Sequence, residues 1–200
     1  MIKLSINKLT TPEWVTGIVV ILCISLACIV ATKHFERKEP QVAELNKYVR
    51  EGDRVGFRRA LRTHSNVDGT IDYGYTPLTL ACFWRDREGV AILIDRGADP
   101  NRVDANNLLP LSICGGNPEC VRILLNAGAL PNGPDSYNGS LPLSSAIIAR
   151  DIEGVDLLLK AGAKLEKKDQ FGKTPLDWVN QGDDHAIAQR INEHLNGQRP

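Results

Sequence analysis

The residues that could hold a metal ion or carry out catalysis are few and scattered. None of the four histidines has a cysteine or carboxylate partner at metal-ligand spacing; they are His34, His64, His185 and His194. Asp183 and Asp184 precede His185, but carboxylates at that point also favour the N-terminus of a helix. The chain has no phosphate-binding glycine loop and no serine in a nucleophile elbow. The sequence therefore predicts no enzyme, no cofactor and no metal site.

A tripeptide that returns at a fixed interval indicates the scaffold. Thr76-Pro77-Leu78 is followed at spacings of 33, 32 and 33 residues by similar tripeptides, which begin at Leu109, Leu141 and Thr174. A Gly-Ala pair runs in step with it and follows an apolar stretch each time; the glycines are Gly97, Gly128 and Gly162. A period of about 33 residues is typical of a stacked solenoid and not of a closed enzyme core.

These markers resemble ankyrin repeats, over residues 41–200. The fourth unit is the cleanest, since Asp169-Gln170-Phe171-Gly172-Lys173-Thr174-Pro175-Leu176 follows the family's Asp-x-x-Gly-x-Thr-Pro-Leu opening. The resemblance implies an all-α solenoid of helix-turn-helix units with β-turn fingers. Positive φ angles are predicted in the fingers at Gly74, Gly139 and Gly172, with Asn107 as the substitute in the second unit. Glycines of the Gly-Ala pairs are predicted to end the second helices.

Two units depart from this pattern. Leu109 and Leu141 replace the threonine that caps the first helix, which predicts a loss of about 1 kcal/mol each. In the second unit the opening lies 19 residues before the Gly-Ala pair, against 21 in the others, and Gly115-Gly116-Asn117-Pro118 marks the shortened turn. We expect the stack to be irregular at that unit.

The chain divides into four parts. Residues 1–13 form a short tail, 14–32 a transmembrane helix or signal anchor, 33–40 a linker and 41–200 the repeat domain. Within the last, residues 41–69 form an N-terminal cap, repeats start near 70, 103, 135 and 168, and 186–195 form a closing helix. Basic residues of the cap alternate with Glu44, Glu51 and Asp53, which favours a solvated outer face over a nucleic-acid or lipid-headgroup patch.

The segment from Trp14 to Ala31 contains ten Val, Ile or Leu residues and no charge. As a helix it would be about 27 Å long, enough to cross the hydrocarbon core of a bilayer. Ser25-Leu26-Ala27 also fits a signal-peptidase site, with Cys28 as a lipoprotein acceptor, and a buried helix is a third alternative. The apolar run continues past Cys28, which favours a retained membrane anchor.

The membrane orientation is indicated only weakly by the flanking charges. Lys3 and Lys8 precede the apolar run, and Lys33, Arg37 and Lys38 come after it, so positive charge is similar on both sides. A short, mildly basic tail before an apolar run is typical of a signal anchor, which exports the carboxyl-terminal part of the chain. We therefore expect a single-pass protein of a bacterial inner membrane with its repeats facing the periplasm.

The cysteines do not settle the redox compartment. Cys23 and Cys28 lie in the apolar run, and Cys82 and Cys114 fall where the ankyrin family has a small core alanine. Cys120 falls on the inward face of a second helix. We expect the last three to be buried, and a Cys114–Cys120 disulfide is an alternative that the spacing alone does not support.

Aromatic residues mark a candidate binding surface. Partners of ankyrin-like domains bind the concave face, formed by finger tips and first-helix ends, and alignment places there Tyr73, Tyr75, Phe83, Trp84, Arg85, Tyr137 and Phe171. Aromatic rings offer large contact area with few rotors, and these positions have no predicted core role. Trp178, in contrast, matches an inward position. The alternative is that Tyr73 and Tyr75 only stiffen their turn against Trp84.

The formal net charge is zero, from 24 basic and 24 acidic residues, so no nucleic acid or other polyanion is predicted as a partner. We expect a non-enzymatic protein-binding module tethered to a membrane, monomeric or 1:1 with its protein partner. A specific version is an inhibitor or immunity protein against a toxin or hydrolase of the cell envelope. The alternative is a soluble periplasmic protein that acts in stress or redox defence after signal cleavage.

Overall fold

The computed structural model describes residues 42–134, 137–182 and 184–197, and within these ranges the regular elements are helical. The α-helices are α1 (42–51), α2 (Arg54–Leu61), α3 (Pro77–Phe83), α4 (Arg87–Asp95), α5 (Pro110–Ile113), α6 (Pro118–Asn126), α7 (Pro142–Ile148), α8 (Ile152–Lys160), α9 (Pro175–Gln181) and α10 (His185–Gly197). A 3₁₀ turn at Asp72–Gly74 lies in the first finger. The predicted all-α fold is confirmed for this part of the chain.

The helices stack in two layers. Inner helices α3, α5, α7 and α9 contact one another in sequence order, and outer helices α2, α4, α6, α8 and α10 do the same. Leucines close the space between the layers, with 1% or less of their surface exposed; they are Leu78, Leu93, Leu111, Leu124, Leu143 and Leu158. Each unit therefore buries its apolar face against its neighbours, as in a solenoid.

The inner helices begin in two different ways. Thr76 and Thr174 cap α3 and α9 through their side chains, and each forms a reciprocal capping box three residues along. Leu109 and Leu141 make no capping hydrogen bond, as predicted, but they are 0% and 2% exposed. Burial of a leucine contributes about 1.5–3 kcal/mol, so the burial of these two side chains offsets the loss of the caps.

The outer helices end as the sequence predicts, and each begins at a capping side chain that the sequence analysis did not single out. The side chains of Asp86, Asn117 and Asp151 each accept a hydrogen bond from the backbone N–H three residues later. Positive φ angles of 82°, 86° and 88° follow α4, α6 and α8, at Gly97, Gly128 and Gly162. These glycines let the chain turn back toward the next finger without a steric penalty.

The predicted turn geometry is confirmed in the fingers of the first, second and fourth units. In the finger of the third unit it is wrong. Gly74, Asn107 and Gly172 have φ angles of 79°, 58° and 71°. Gly139 does not have a positive φ, so that prediction is wrong. Its need for glycine is steric, because a Cβ at this position would lie 2.4 Å from the Tyr137 hydroxyl oxygen and 2.9 Å from the Asn107 carbonyl oxygen.

Asparagine side chains tie the loops of neighbouring units together. Asn101 Nδ2 donates to the Gly128 carbonyl oxygen at 3.1 Å, and its Oδ1 accepts from the Leu130 N–H at 2.8 Å. Asn132 repeats this bridge one unit later, with distances of 3.0 Å to the Gly162 carbonyl oxygen and 2.7 Å to the Lys164 N–H. Both ends of each amide are thus used to fix the spacing of the stack.

The outer helices are also linked by ion pairs between units. Arg87 of α4 lies 3.7 Å from Glu119 of α6, and Arg122 of α6 contacts Glu153 of α8. Arg190 of α10 lies 3.7 Å from Asp156 of α8. The arginines are about half or more exposed, so each pair contributes at most about 1 kcal/mol. Their main effect is to neutralise basic groups of the outer layer.

The second unit is irregular, as its shorter spacing predicts. Its inner helix α5 has four residues, whereas α3 and α7 have seven each. Gly115 brings the following turn against α7, where a Cβ would lie 2.8 Å from the carbonyl carbon and oxygen of Ser145. Only glycine allows this approach, and it keeps the short unit in contact with its neighbour.

The two ends of the repeat domain carry the predicted helices. α1 and α2 form the N-terminal helix pair, and α10 closes the other end through the buried Ile187 and Ile191. Among the described residues no helix is both long enough and apolar enough to cross a bilayer. The predicted tail (1–13), membrane helix (14–32) and linker (33–40) lie outside the described residues.

Candidate protein-binding groove

The finger residues and the carboxyl-terminal residues of the inner helices share one side of the stack, and we call this surface the groove face. It comprises residues 70–76, 103–109, 137–141 and 169–174 with the ends of α3, α5, α7 and α9. Three of the predicted binding residues expose large side chains there, with Tyr73 at 68%, Phe83 at 59% and Phe171 at 65%. More than half of each of these side chains is exposed and can contact another molecule.

Tyr73 and Tyr75 are held by different contacts. Tyr73 has a φ angle of 63°, and its carbonyl oxygen accepts a 2.8 Å hydrogen bond from Asn106 Nδ2 of the next finger. Tyr75 stacks on Phe83, with ring centroids 6.0 Å apart and an interplanar angle of 27°. The aromatic contact of Tyr75 is thus with Phe83, whereas the alternative from the sequence named Trp84.

Trp84 has a packing role that the sequence interpretation denied it. Its ring meets Phe57 of α2 edge to face, with centroids 5.2 Å apart and an interplanar angle of 78°. The Arg54 guanidinium lies 5.9 Å from the Trp84 ring centroid. The expectation of no core duty is therefore wrong for Trp84, which joins the N-terminal helix pair to the first full unit while remaining partly exposed.

Tyr137 is the clearest correction among the predicted binding residues. It is 5% exposed, and its hydroxyl donates a 3.1 Å hydrogen bond to the Ser140 carbonyl oxygen. Burial raises the pKa of Tyr137, although a hydrogen bond with Ser112 opposes the change. The prediction that Tyr137 has no core duty is wrong, because the third finger folds over this ring.

A second aromatic pair lies at the far end of the groove face. Phe171 meets Trp178 edge to face at 6.3 Å, and Trp178 Nε1 donates a 2.7 Å hydrogen bond to Asp169 Oδ2. The Lys173 ammonium lies 4.2 Å from the Trp178 ring centroid. Trp178 is partly buried against the core, in keeping with its predicted inward position.

Sequence reasoning missed Ile148 and Arg150. Ile148 is 59% exposed and ends α7 as Phe83 ends α3, and Arg150 follows it as Arg85 follows Phe83. Phe83 follows Thr76 at the same distance as Ile148 follows Leu141, so the repeat spacing could have identified Ile148 as the equivalent of Phe83. The sequence analysis looked for aromatic residues, and isoleucine is not one. A cavity of about 290 Å³ lies beside them, lined also by Trp178, Val179 and Ile187.

The three cysteines that the structure describes are buried in the core. Cys82, Cys114 and Cys120 are buried free thiols, as predicted, so the alternative Cys114–Cys120 disulfide is not formed. A hydrogen bond with Cys114, and then burial, raise the pKa of Cys120. In the described ranges no group of three or more His, Cys, Asp or Glu side chains could hold a metal ion.

Comparison with known proteins places the repeats in a family. A model of the ankyrin repeat matches residues 73–105, and a model of three ankyrin-repeat copies matches residues 103–169. The chain is 30% identical over 145 residues to human transient receptor potential cation channel subfamily A member 1, of which it spans 12%. It is 28% identical over 144 residues to cyclin-dependent kinase inhibitor 2A of Monodelphis domestica, of which it spans 83%.

A bacterial relative is similar over a comparable length. Protein PhlB of Serratia liquefaciens is 33% identical over 134 residues, which are 66% of this chain and 59% of PhlB. The names of these relatives describe different proteins, and the chain spans 12% of the channel but 83% of the inhibitor. What this chain has in common with them is the ankyrin-repeat region.

Proposed function

Because this chain is an ankyrin-repeat protein across residues 73–169, and such repeats bind other proteins, we propose that it is a non-enzymatic binding module tethered to a membrane. The observation that carries the proposal is the exposure of Tyr73, Phe83 and Phe171 on one face of the stack. Tyrosine and other large aromatic side chains supply much of the binding energy at protein interfaces. The groove face is therefore the binding site in this proposal.

The mechanism is capture of a partner by a surface that is already ordered. Stacking on Phe83 fixes the Tyr75 ring, and the hydrogen bond from Asn106 fixes the backbone of Tyr73. A surface ordered before binding loses less conformational entropy when the partner arrives. Binding then covers the partner's own functional surface, which is how a repeat protein without catalytic groups inhibits.

The tether in this proposal is the apolar segment at 14–32. Its ten Val, Ile or Leu residues and absence of charge between Trp14 and Ala31 support a membrane-spanning helix. The short basic tail supports export of the repeats to the periplasm. A soluble periplasmic protein released by signal cleavage is the competing form.

The specific role that we favour is inhibition of a toxin or hydrolase acting in the cell envelope. A relative named as a kinase inhibitor is covered to 83% by this chain, which supports an inhibitory role for a chain with few repeats. A tether at the membrane would keep such an inhibitor where the harmful enzyme acts. The chain would act as a monomer or in a 1:1 complex.

Site-specific photo-crosslinking in intact cells tests the binding site. A photoreactive amino acid is placed at Tyr73 or Phe83 of the full tagged chain, and at the exposed outer-layer residue Lys160 as the matched control. We expect the same protein to be captured from Tyr73 and Phe83 and not from Lys160. Equal capture from all three positions, or capture from Lys160 alone, would place the binding site off the groove face.

Protease access and intact mass test the tether separately. If the chain is anchored with its repeats outside, protease added to spheroplasts digests the repeats and the intact mass includes residues 1–27. A mass lacking residues 1–27 would favour the cleaved periplasmic form. Protection of the repeats would show that the orientation proposed here is reversed.

A further inference from the structure

Two arginines on the groove face adopt a backbone conformation that favours glycine. Arg85 and Arg150 have φ angles of 55° and 56°, and each follows the last turn of an inner helix. The backbone N–H of Arg85 bonds to Cys82 and that of Arg150 bonds to Ile147, which is the helix-ending geometry usually completed by glycine. The second unit places Gly116 there, with φ 83°. A non-glycine residue in this region is strained, and strained residues of this kind cluster at functional sites.

The charge of these arginines is less neutralised than that of the outer layer. Arg87, Arg122 and Arg190 of the outer helices each have a carboxylate partner in the next or preceding unit. Arg85 is exposed and has no ion pair in the part of the chain that the structure describes. Arg150 has only a 3.9 Å contact with Asp184. The groove face therefore presents two basic groups that a ligand could pair with.

An exposed apolar residue precedes each arginine by two positions in the chain. Phe83 precedes Arg85 by two residues and Ile148 precedes Arg150 by two, and both are 59% exposed. Between them the shortened second unit offers Gly116, and a Cβ there would lie 3.1 Å from an Arg85 guanidinium nitrogen and 3.2 Å from Ala149 Cβ. Arg85 therefore reaches across the short unit toward the third unit. One apolar and one basic residue therefore lie on each side of Gly116: Phe83 with Arg85 in the first unit, and Ile148 with Arg150 in the third.

We propose that this surface binds an acidic segment of a protein partner, with apolar side chains on Phe83 and Ile148 and carboxylates on Arg85 and Arg150. The proposal rests on the proposed function and specifies the chemistry of the partner. Guanidinium groups suit carboxylates because they can donate two parallel hydrogen bonds. Apolar residues in the same segment would shield these contacts from water and strengthen them.

The test uses the full chain in a non-ionic detergent and a phage-displayed library of random twelve-residue peptides. We expect the selected peptides to be acidic and to contain Leu, Ile or Phe, relative to the unselected library. Binding of a selected synthetic peptide should fall at least about tenfold in the Arg85→Gly/Arg150→Gly variant. It should also weaken as salt is added.

The glycine variant separates binding from folding. Because glycine accepts a positive φ, the variant should melt at the same temperature as the natural chain or a few degrees higher. The control is Arg122→Ala/Arg190→Ala, which removes the same charge from the outer layer and should leave peptide binding unchanged.

Three results would overturn the proposal. They are selected peptides without acidic bias, no enrichment at all, and undiminished binding in the glycine variant. Each would leave capture at Tyr73 and Phe83 in cells intact, whereas loss of that capture would count against the proposed function itself.

Discussion

His64 is a buried titratable side chain without a hydrogen-bond partner for either ring nitrogen among the described residues. It lies in the turn after α2 with 3% of its surface exposed. Burial, and then the charge of Arg96, lower the pKa of His64, while Glu44 opposes the change. The folded protein therefore holds this imidazole in its neutral form at a pH where an unfolded chain would begin to protonate it.

Stability should consequently fall as the solution becomes acidic. The pKa of this histidine is lower in the folded chain than in the unfolded chain, where it is about 6.5. The free energy of unfolding is therefore unaffected above pH 6.5 and falls as the pH drops below that value. We expect the His64→Phe variant to lose less melting temperature than the natural chain between neutral and mildly acidic pH. The control is the exposed His185, whose replacement by glutamine should leave the pH dependence unchanged. Equal pH dependence in the natural chain and His64→Phe would contradict this account.

Tyr137 and Tyr73 should differ sharply when truncated. Tyr137→Ala removes a buried ring and a hydrogen bond, so we expect destabilisation of about 3–5 kcal/mol, the range found for large aromatic truncations. Tyr73→Ala removes a ring that is 68% exposed and should change stability by about 0.5 kcal/mol or less. Urea denaturation of both variants measures the difference. Similar losses would mean that Tyr73 also supports the fold.

At the level of the helix, the short second unit depends on Gly115. Gly115→Ala would place a Cβ 2.8 Å from the backbone of Ser145, and backbone cannot move as a side-chain end can. We expect a loss of about 1–3 kcal/mol, as for other overpacked sites. Gly182→Ala is the matched control because its nearest atom lies 3.6 Å away, and it should be neutral or stabilising by up to about 1 kcal/mol. Denaturation midpoints that fall equally would show that the approach to α7 is not tight.

The sequence predicted helices and their ends well because those signals are local. Thr76, Pro77 and Gly97 specify a helix start and stop through their own backbone preferences. The backbone angle of Gly139 was predicted wrongly because its role depends on contacts across the third unit and its neighbour. Tyr137 was predicted to be a binding residue without a core role because its burial also depends on contacts that the local sequence does not show. In the candidate site, the exposure of Tyr73, Phe83 and Phe171 matches the prediction, whereas Trp84 and Ile148 required the packing to be seen.

Across the whole molecule, the buried thiols should report on opening of the stack. Cys82, Cys114 and Cys120 come from adjacent units and are at most 1% exposed. Hydrogen bonding with Cys114, and then burial, raise the pKa of Cys120, and only the thiolate reacts readily. Alkylation followed by peptide mass analysis should show these three thiols protected until denaturant unfolds the domain. Rapid labelling of Cys120 in the native protein would indicate local opening at the second unit.

The asparagine bridge at Asn132 also bears on how the purified protein ages. Asn132 and Asn138 both precede glycine, the neighbour that most readily permits deamidation. Asn132 has both ends of its amide held by the next unit, whereas the exposed Asn138 accepts a 3.3 Å hydrogen bond from Asn107 through its Oδ1. Isoaspartate mapping of stored protein should therefore find damage at Asn138 before damage at Asn132. Damage at Asn132 would put a carboxylate against the Gly162 carbonyl, so the same bond that spaces two units also protects the chain from chemical decay.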